Sequence, residues 1–431
     1  MSALAKYCLI CGFSVTGSDE KNSAEMQNLK RLGVKISVGH KAENVNLARV
    51  VVKSNAISDD NPEIVRAKEL HIPIIKRSEL LGSIMQGFSH SVAVSGSHGK
   101  TTATSMIAHM LEYGDKSPVA FIGGDDYKYG NLYLGNGDVI VCEACEFQKS
   151  FLDLKSTVAV ALNLDNDHLD CYGSLENLSL AFRRFLSGKI SVINADDDRL
   201  KRLGNQCTIT FGISEPASYK AERLRKNGFG GYSFTVVRYG LKLGRINLKV
   251  LGKHNVYNAL STVVVGCIFG VPFKDIKKAL EEFNGVKRRM ENLGKLYKVT
   301  AYADYAHHPA EIKATLSAFG YKKGEDLVVF QPHTYSRTKL LMEDFISVLN
   351  GVETLVYSTY PAREEFDAKG SAYALYRNLK KQGQGYYYAS NQHELFVQLK
   401  SILESKKRVI FIGAGDIYQI AKEKAEREGR K

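Results

Sequence analysis

The sequence has no apolar run long enough to cross a bilayer. A transmembrane helix needs about 20 consecutive apolar residues, and none is found among the 431 residues, of which 24% are charged. The first residues also lack a basic segment followed by an apolar signal core. The sequence therefore predicts a cytosolic protein without a membrane partner.

Cysteine is scarce, and its number is odd. Seven cysteines argue against a disulfide framework. Two Cys-x-x-Cys pairs, which begin at Cys8 and Cys142, have a spacing found in zinc sites, but no histidine follows at the spacing of a zinc finger. We therefore predict buried, reduced thiols rather than a metal site.

A dense run of one charge is also missing, although the formal net charge is +13. The densest basic groups, at 277–278, 287–289 and 406–408, are short. A helix that binds nucleic acid would present a longer basic face. The positive charge therefore favours small anionic substrates, such as nucleotides, over nucleic acid.

Short strands alternate with helices along the chain, a pattern typical of parallel sheets. We predict three α/β units, at residues 1–88, 89–287 and 288–431. The sequence contains no internal repeat, and no long linker separates the three units. In the first unit the pattern predicts helices at 1–12, 24–32 and 62–70, and strands at 13–16, 48–53 and 72–75.

The stretch SGSHGKTT, at residues 95–102, has the composition of a phosphate-binding loop. It follows an apolar run at 92–94 and precedes residues 101–113, whose apolar spacing predicts a helix. The glycines allow backbone N–H groups to close on phosphate oxygens, and the helix N-terminus adds partial positive charge.

Lys100 and Thr101 supply the side chains that such a loop requires. Lys100 can reach the terminal phosphates of a nucleotide, and the Thr101 hydroxyl can hold a magnesium ion. The loop is shorter than the G-x-x-x-x-G-K-[ST] motif, because Val94 occupies the first glycine position. An ordinary glycine turn before a helix is therefore the alternative interpretation.

Polar side chains follow the predicted strands of the second unit. Because ligands bind beyond the carboxyl ends of parallel strands, we expect these side chains to converge on the loop. Glu143 and Thr101 offer the oxygen ligands that magnesium prefers. For His168 considered by itself, a hydrogen-bonded structural role is slightly favoured over a role as a magnesium ligand. The strands at 139–141, 158–162 and 191–193 are followed by Glu143, by Asn163, Asp165, Asp167 and His168, and by Asn194 and residues 196–198.

Asn255 and Asn258 share one face of a predicted helix. Two amides on one face can read a base or bind phosphate, and Asn255 alone can also cap the helix. Residues 223–249 before them alternate in the manner of β-hairpins.

In the third unit, polar groups again follow the predicted strands, which lie at 299–303, 327–330 and 409–412. Adjacent histidines at 307 and 308 rarely converge on one metal ion, so we interpret them as substrate-binding residues. A helix is predicted at 309–319, with proline in its first turn.

Together these motifs resemble those of the Mur ligases, the ATP-dependent amino-acid ligases of peptidoglycan synthesis. The similarity extends nearly from end to end of the chain. It implies an α/β protein with a Rossmann-like N-terminal domain that binds a UDP-sugar, a central P-loop ATPase-like domain and a Rossmann-like C-terminal domain that binds an amino acid. The motifs are GSD (17–19), SNAI (54–57), GSHGKTT (96–102), EACE (143–146), NLDNDHLD (163–170), HNVYNA (254–259), FNGVKRRME (283–291), ADYAHHPAE (303–311), FQPHTYSRT (330–338) and FIGAGDIY (411–418).

The resemblance implies that ATP, with Mg²⁺, drives the joining of L-alanine to the lactyl carboxylate of UDP-N-acetylmuramate through an acyl phosphate. The FQPHTYSRT motif favours this activity over that of the recycling ligase, which attaches a whole peptide to the same UDP-sugar. The catalytic residues that the family implies are Lys100, Glu143, His168, Arg289 and Asp304, and the magnesium ligands are Thr101, Glu143 and His168.

The family also implies which residues bind each substrate. Those for ATP are Gly96, Ser97, His98, Gly99, Lys100, Thr101, Thr102, Asn255, Asn258 and Arg289. Those for the UDP-sugar are Ser18, Asp19, Ser54, Asn55 and Ala56, and those for the amino acid are His308 and Arg337, with His333 and Tyr335 as further candidates. Because a guanidinium forks onto two oxygens, Arg337 is the natural partner of the alanine carboxylate.

The sequence departs from the family pattern in three ways. Residues 1–5 match only the tail of a G-x-G-G-x-G-M-S-A-L-A turn, so we expect the first strand and its glycine turn to be missing. A nucleotide-binding remnant without turnover is therefore a further alternative. Cys145 stands where many relatives have aspartate, and no lysine between Asp170 and Ser187 could be carbamoylated to position magnesium.

Overall fold

The computed structural model describes residues 1–165 and 169–429. The chain divides into two compact units: the first contains residues 1–227, 233–248 and 255–283, and the second contains residues 228–232, 249–254 and the chain from Asn284 onwards. Within the described residues, no helix has the length and apolar character needed to span a membrane.

The N-terminal part of the first unit alternates helices with short strands. β1 pairs with β2, and β3 pairs with β4, both in parallel. The elements are α1 (Ser2–Ile10), β1 (Thr16–Asp19), α2 (Ala24–Arg31), β2 (Lys35–Val38), β3 (Val51–Lys53), α3 (Pro62–Glu69), β4 (Ile74–Lys76) and α4 (Arg77–Met85).

The predicted helices of this part are confirmed, but the strand predicted at 13–16 is wrong. Gly12 adopts a φ of 86°, which ends α1, and Phe13 is 65% exposed, so these residues have no buried face to pair. The strand begins instead at Thr16 and contains the GSD motif. The strands predicted at 48–53 and 72–75 are present with different bounds, and β2 was not predicted.

Side-chain caps explain where α2 and α3 begin. The Ser23 hydroxyl accepts a hydrogen bond from the Met26 N–H at 3.3 Å. Asn61 accepts one from the Glu63 N–H at 2.9 Å, and Pro62 occupies the first turn, where its missing N–H costs nothing.

A sheet of ten strands among the described residues forms the centre of the first unit, in the order β14-β13-β12-β11-β10-β9-β5-β8-β6-β7. The pairs from β12 to β6 are parallel, whereas β6–β7 and β13–β14 are antiparallel. The strands are β5 (His90–Ser95), β6 (Val119–Asp126), β7 (Gly130–Leu134), β8 (Val139–Glu143), β9 (Val158–Ala161), β10 (Ile190–Asn194), β11 (Thr208–Gly212), β12 (Tyr219–Lys226), β13 (Tyr232–Arg238) and β14 (Leu241–Asn247).

The helices that accompany this sheet are α5 (Lys100–Tyr113), α6 (Leu169–Tyr172), α7 (Leu175–Leu186), α8 (Asp198–Lys201), α9 (His254–Ile268) and α10 (Phe273–Glu282). Helices α5 to α8 lie between strands of this sheet along the chain, as parallel strands require, and α9 and α10 follow β14. The predicted helix at 101–113, the strands at 92–94, 139–141, 158–162 and 191–193, and the hairpin β13–β14 are confirmed.

One hydrophobic core joins the N-terminal helices to the central sheet. Leu4 of α1 and Met85 of α4 are buried in the same cluster as Phe151, Phe182 and Phe185. Complete burial of each such side chain contributes about 1.5–3 kcal/mol. This shared core explains why the N-terminal part and the sheet form one compact unit.

The second unit contains a sheet in the order β15-β16-β20-β17-β18-β19, in which only the β15–β16 pair among the described strands is antiparallel. Its predicted strands and the helix at 309–319 are confirmed. The elements are β15 (Glu291–Leu296), β16 (Val299–Asp304), α11 (Pro309–Phe319), β17 (Asp326–Phe330), α12 (Tyr335–Leu340), α13 (Met342–Leu349), β18 (Thr354–Tyr357), α14 (Ala372–Gln382), β19 (Tyr386–Ala389), α15 (Gln392–Ile402), β20 (Arg408–Ile412) and α16 (Ile417–Gly429).

Candidate functional site

The glycine-rich loop connects β5 to α5, in the strand–turn–helix context that the sequence predicts. Gly96 has a φ of 143°, and a Cβ there would lie 3.1 Å from the Asn163 backbone nitrogen. Gly99 has a φ of 84°, and its Cβ would lie 2.7 Å from Asn258 Oδ1. Both positions therefore require glycine, for backbone conformation and for space.

Lys100 folds back over this loop. Its ammonium donates hydrogen bonds to the Gly96 carbonyl at 2.6 Å and the Ser97 carbonyl at 3.2 Å, and it forms an ion pair with Glu146 Oε1 at 3.0 Å. Burial disfavours the ammonium, but the Glu146 carboxylate, together with the neighbouring Cys145 and Glu143, raises the pKa of Lys100 above its ordinary value. A permanent positive charge thus lies at the loop.

Thr101 and Glu143 form a pair of oxygen donors beside Lys100. The Thr101 hydroxyl donates to Glu143 Oε2 at 2.7 Å. Gly123 of β6 leaves room for the carboxylate, because a Cβ there would lie 2.0 Å from Glu143 Oε2. Magnesium keeps several waters and needs only one or two protein oxygens besides phosphate, so this donor pair fits it.

The predicted third magnesium ligand, His168, lies outside the described residues, as do Asn166 and Asp167. Within the described parts of the chain, no three His, Cys, Asp or Glu side chains are grouped so that they could hold a metal ion. All seven cysteines carry free thiols, but of the two Cys-x-x-Cys pairs that the sequence predicts to be buried only Cys142 is buried: Cys8 and Cys145 are partly exposed, and Cys11 is exposed.

The polar residues that follow β9 hold the loop in place. The Asn163 side chain accepts a hydrogen bond from the His98 N–H at 2.8 Å and donates one to the His98 carbonyl at 3.0 Å. The Asp165 N–H donates to the Ser97 hydroxyl at 2.8 Å. The structure thus brings Asn163 and Asp165 to the loop, as the sequence predicts for strand ends.

Among residues 1–165 and 169–429, the polar residues after β10 hydrogen-bond to residues that surround the glycine loop and not to the loop itself. Asp197 accepts a hydrogen bond from the Leu164 N–H, and Asp196 accepts one from the Tyr257 hydroxyl, both at 2.8 Å. Burial alone would raise the pKa of Asp196, but hydrogen bonds from backbone N–H groups of residues 213–215 lower it. Asp196 therefore stays ionised as an anchor for this turn.

Asn255 and Asn258 lie inside α9 and are buried, with 6% and 3% exposure. The Asn258 amide donates to Asn255 Oδ1 at 2.9 Å, so the two side chains share a face as predicted. Asn258 also lies against Gly99 of the loop. Thr102 is buried in the first turn of α5.

In the N-terminal part, Glu63 organises a polar cluster that the sequence analysis missed. Its carboxylate accepts hydrogen bonds from Ser18 at 2.7 Å and from Asn44 at 2.6 Å, and His40 Nδ1 lies 3.3 Å away. Of the predicted residues here, only Ser18 belongs to this cluster. A prediction of β2 would have placed Gly39 and His40 at a strand end and revealed the cluster.

The other predicted UDP-sugar residues are arranged separately. The Asp19 carboxylate accepts a hydrogen bond from the Lys21 N–H at 3.1 Å. Ser54 and Ala56 follow β3, and the Asn55 amide between them donates to the Ser150 hydroxyl at 2.9 Å.

In the second unit, Asp304 is a buried anchor at the end of β16. Its carboxylate accepts hydrogen bonds from the N–H groups of Met290 and Ala306, at 2.8 and 2.9 Å, and from the Thr315 hydroxyl at 3.0 Å. Burial raises the pKa of Asp304. Asp304 thereby ties the start of this unit to the turn that carries the two histidines.

Arg288, which the sequence analysis missed, contacts two aromatic rings and two backbone carbonyls among the described residues. Its guanidinium lies between the rings of Tyr305 and Tyr418, at 4.7 and 5.1 Å from their centres, and donates to the carbonyls of residues 414 and 415. Arg289 lies 5.0 Å from the Tyr305 ring centre. Cation–π contacts of this kind are each worth about 0.5–2 kcal/mol.

The residues predicted to bind the amino-acid substrate do not form a single cluster. His333 Nδ1 lies 3.4 Å from Arg337 Nη1, and its ring centre lies 5.9 Å from that of His307. His308 instead caps α11, where its Nδ1 accepts a hydrogen bond from the N–H of residue 310 at 3.4 Å. Tyr335 packs against an aromatic neighbour at 366 and lines a cavity of about 530 Å³.

The arrangement of His333 predicts how stability depends on pH. Burial lowers the pKa of His333 from 6.5 to about 4, and the neighbouring His307 and Arg337 act in the same direction. The unfolded chain therefore binds this proton at a higher pH than the folded chain does. The free energy of unfolding should then fall as the pH drops from about 6.5 to about 4.

Thermal unfolding at about pH 7 and about pH 4.5 checks this prediction. We expect the unfolding midpoint of the wild-type protein to drop more between these pH values than that of His333→Gln, which cannot take up the proton. An equal drop in both proteins would show that His333 does not contribute.

Three family models together match most of the chain. The Mur ligase family, catalytic domain, matches residues 1–89, the Mur ligase middle domain matches residues 94–266, and the Mur ligase, glutamate ligase domain, matches residues 288–415.

Individual relatives are similar over nearly their whole length. A UDP-N-acetylmuramate–L-alanine ligase of Aquifex aeolicus is 41% identical over 428 residues, which cover 97% of this chain and 93% of the relative. The crystal structure of the UDP-N-acetylmuramate–alanine ligase of Thermotoga maritima superposes with a TM-score of 0.85 at 30% identity, covering 100% of this chain and 96% of that one. The crystal structure of a murein peptide ligase of Psychrobacter arcticus superposes with a TM-score of 0.73 at 22% identity, and the match covers 100% of this chain and 97% of that one. This protein therefore shares the fold.

Proposed function

The chain belongs to the Mur ligase family, with its three-domain α/β fold, and on that premise we propose that it joins L-alanine to UDP-N-acetylmuramate at the expense of ATP. This is the first amino-acid addition in the synthesis of the peptidoglycan precursor. The observation that carries the proposal is the charged Lys100 on the glycine loop, beside the oxygen pair of Thr101 and Glu143. The similarity to proteins named as UDP-N-acetylmuramate–L-alanine ligases supports these substrates.

Each domain of the family would bind one substrate. We assign the UDP-sugar to residues 1–88, ATP to residues 89–287 and alanine to residues 288–431. The N-terminal residues proposed for the UDP-sugar are Ser18, Asp19, Ser54, Asn55 and Ala56. Because its substrates are cellular nucleotides, we place the reaction in the cytoplasm.

ATP would bind with its phosphates on the loop from Gly96 to Thr102. The backbone N–H groups there and the N-terminus of α5 attract anions, and Lys100 would turn from the loop carbonyls to the terminal phosphates. Asn258 lies against Gly99 of this loop and is hydrogen-bonded to Asn255, and the two amides would contact the nucleotide. The family pattern also implies Arg289 as a contact of ATP.

Magnesium would be held by Thr101 and Glu143, and by His168 according to the family pattern. When bound, it would neutralise negative charge on the phosphates of ATP. Cys145 is not included in this donor set, because magnesium prefers oxygen ligands; burial raises the pKa of its thiol to about 11.

The reaction begins with the transfer of the γ-phosphoryl group from ATP to the lactyl carboxylate. An oxygen of this carboxylate forms the new O–P bond, the bond to the β-phosphate oxygen breaks, and ADP leaves. Two anions must approach each other in this step, so Lys100 lowers its barrier by offsetting their repulsion.

The alanine amine then attacks the carbonyl carbon of the acyl phosphate. The C–N bond forms, the amine loses its proton, and inorganic phosphate leaves. Arg337 would hold the alanine carboxylate through its two forked N–H groups. His308, His333 and Tyr335 are the further proposed contacts, and His333 is neutral at neutral pH because burial lowers its pKa to about 4.

Phosphate release with different acceptors tests the proposal. The protein is supplied with Mg²⁺, ATP and UDP-N-acetylmuramate, and either L-alanine or the L-Ala-γ-D-Glu-diaminopimelate tripeptide is added. We expect phosphate release with alanine and none above background with the tripeptide. Release with the tripeptide alone would assign the chain to peptide recycling, and ATP binding without any release would identify a nucleotide-binding remnant.

A further inference from the structure

The segment that follows the buried Glu146 has an unusual backbone. Gln148 and Lys149 have φ values of 50° and 59°, so two successive residues other than glycine adopt the left-handed conformation. Each such residue costs about 1–2 kcal/mol. Conformations of this kind persist only where the surrounding structure imposes them, and they are concentrated at functional sites.

Contacts on both sides hold the residues that flank this pair. On the N-terminal side, the Glu146 carboxylate pairs with Lys100, and the Glu146 carbonyl accepts a hydrogen bond from the Tyr172 hydroxyl at 2.5 Å. On the C-terminal side, the Ser150 hydroxyl accepts the hydrogen bond from Asn55 at 2.9 Å. The strained pair therefore lies between a residue bound to the ATP-site lysine and a residue bound to a proposed UDP-sugar contact.

Lys149 is the charged member of the pair. Its side chain is exposed, and within residues 1–165 and 169–429 its ammonium makes no ion pair and no hydrogen bond. A lysine ammonium is a compact point charge suited to a carboxylate or a phosphate. Lys149 thus has an uncommon backbone conformation and an exposed ammonium with no partner among the described residues, and along the chain it lies between Glu146, which pairs with Lys100, and Ser150, which contacts Asn55.

We propose that Lys149 binds the lactyl carboxylate of the UDP-sugar and holds it for attack on the γ-phosphate. This inference rests on the proposed function. Lys149 would offset the charge of the nucleophilic carboxylate, as Lys100 offsets that of the phosphate, and would lower the cost of bringing the two anions together. It forms no covalent bond and transfers no proton.

Steady-state kinetics of four variants test the role of Lys149. Lys149→Met removes the charge, and Lys149→Gly removes it while suiting the left-handed backbone. We expect both to raise the KM for UDP-N-acetylmuramate about tenfold or more, since a charged hydrogen bond is lost. The KM values for ATP and alanine should stay within about twofold of the wild type.

Matched controls separate the charge from the backbone. Gln148→Ala changes the neighbouring left-handed residue, and Lys155→Met removes an exposed lysine six positions away along the chain. Both should behave as the wild type does. A wild-type KM in Lys149→Gly, beside a raised KM in Lys149→Met, would trace the loss to the backbone and overturn the inference.

Inhibition by UDP, which carries the diphosphate but no carboxylate, locates the contact. We expect the same inhibition constant in Lys149→Met as in the wild type. A raised constant would assign Lys149 to the diphosphate and contradict the proposed carboxylate contact. If the wild-type protein releases no phosphate, the proposed function fails; if it does and Lys149→Met has unchanged kinetics, only this inference fails.

Discussion

Lys100→Met is expected to lower turnover by about 10³-fold or more, because it removes the cation nearest the phosphates in the transition state. The substitution also leaves Glu146, which is 1% exposed, without its ion-pair partner. Breaking a buried pair in this way costs about 3–5 kcal/mol. The measurements are phosphate release at saturating substrates and the thermal unfolding midpoint.

The double variant Lys100→Met with Glu146→Gln distinguishes catalysis from stability. A neutral amide at 146 removes the buried carboxylate charge that Lys100 had balanced, so the double variant should regain most of the lost stability. Its turnover should stay as low as that of Lys100→Met. Recovery of turnover together with stability would mean that Lys100 serves only to neutralise Glu146.

Arg337→Lys is expected to raise the KM for alanine by about 10²-fold, because a single ammonium cannot replace two parallel N–H contacts to a carboxylate. Charge is retained, so the effect isolates the forked geometry. Because Arg337 is assigned to alanine alone, the KM values for ATP and for UDP-N-acetylmuramate should not change. Phosphate release over a range of alanine concentrations measures this difference.

Lys339→Met is the matched control for Arg337. It lies on the same helix, α12, and forms an ion pair with Asp367 at 2.9 Å. Pairs at the surface contribute about 0–1 kcal/mol, so its loss should leave the fold and the alanine KM unaltered. Equal effects of the two substitutions would indicate general damage to α12, and an unchanged KM in Arg337→Lys would exclude the forked contact.

The glycine loop could be predicted from the sequence because its requirements are local. An apolar strand, two glycines and a helix pattern occur in consecutive residues, and the structure places each of them as predicted. Glu143 could be placed as well, because it ends a strand of the same parallel sheet. Periodicity and the topology of parallel sheets suffice for such residues.

Other features depend on contacts between distant residues or on local backbone reversals. Arg288 and Arg289 are adjacent residues of the same type, so the sequence does not distinguish them. The positive φ values of Arg288 (64°) and Met290 (50°) change the direction of the backbone at these positions, so that neighbouring side chains point in different directions. The pairing of Glu146 with Lys100 joins residues 46 positions apart. The Glu63 cluster depends on β2, a four-residue strand too short for its alternation to be recognised.

In the proposed mechanism, ATP activates the lactyl carboxylate as an acyl phosphate on the loop that carries Lys100. Supplying UDP-N-acetylmuramate with ¹⁸O in both carboxylate oxygens, together with unlabelled ATP and L-alanine, tests it most directly. Mass spectrometry should find one ¹⁸O in each phosphate released and one ¹⁸O left in the amide. Phosphate without ¹⁸O would contradict the claim, because the carboxylate oxygen would never have been bonded to phosphorus.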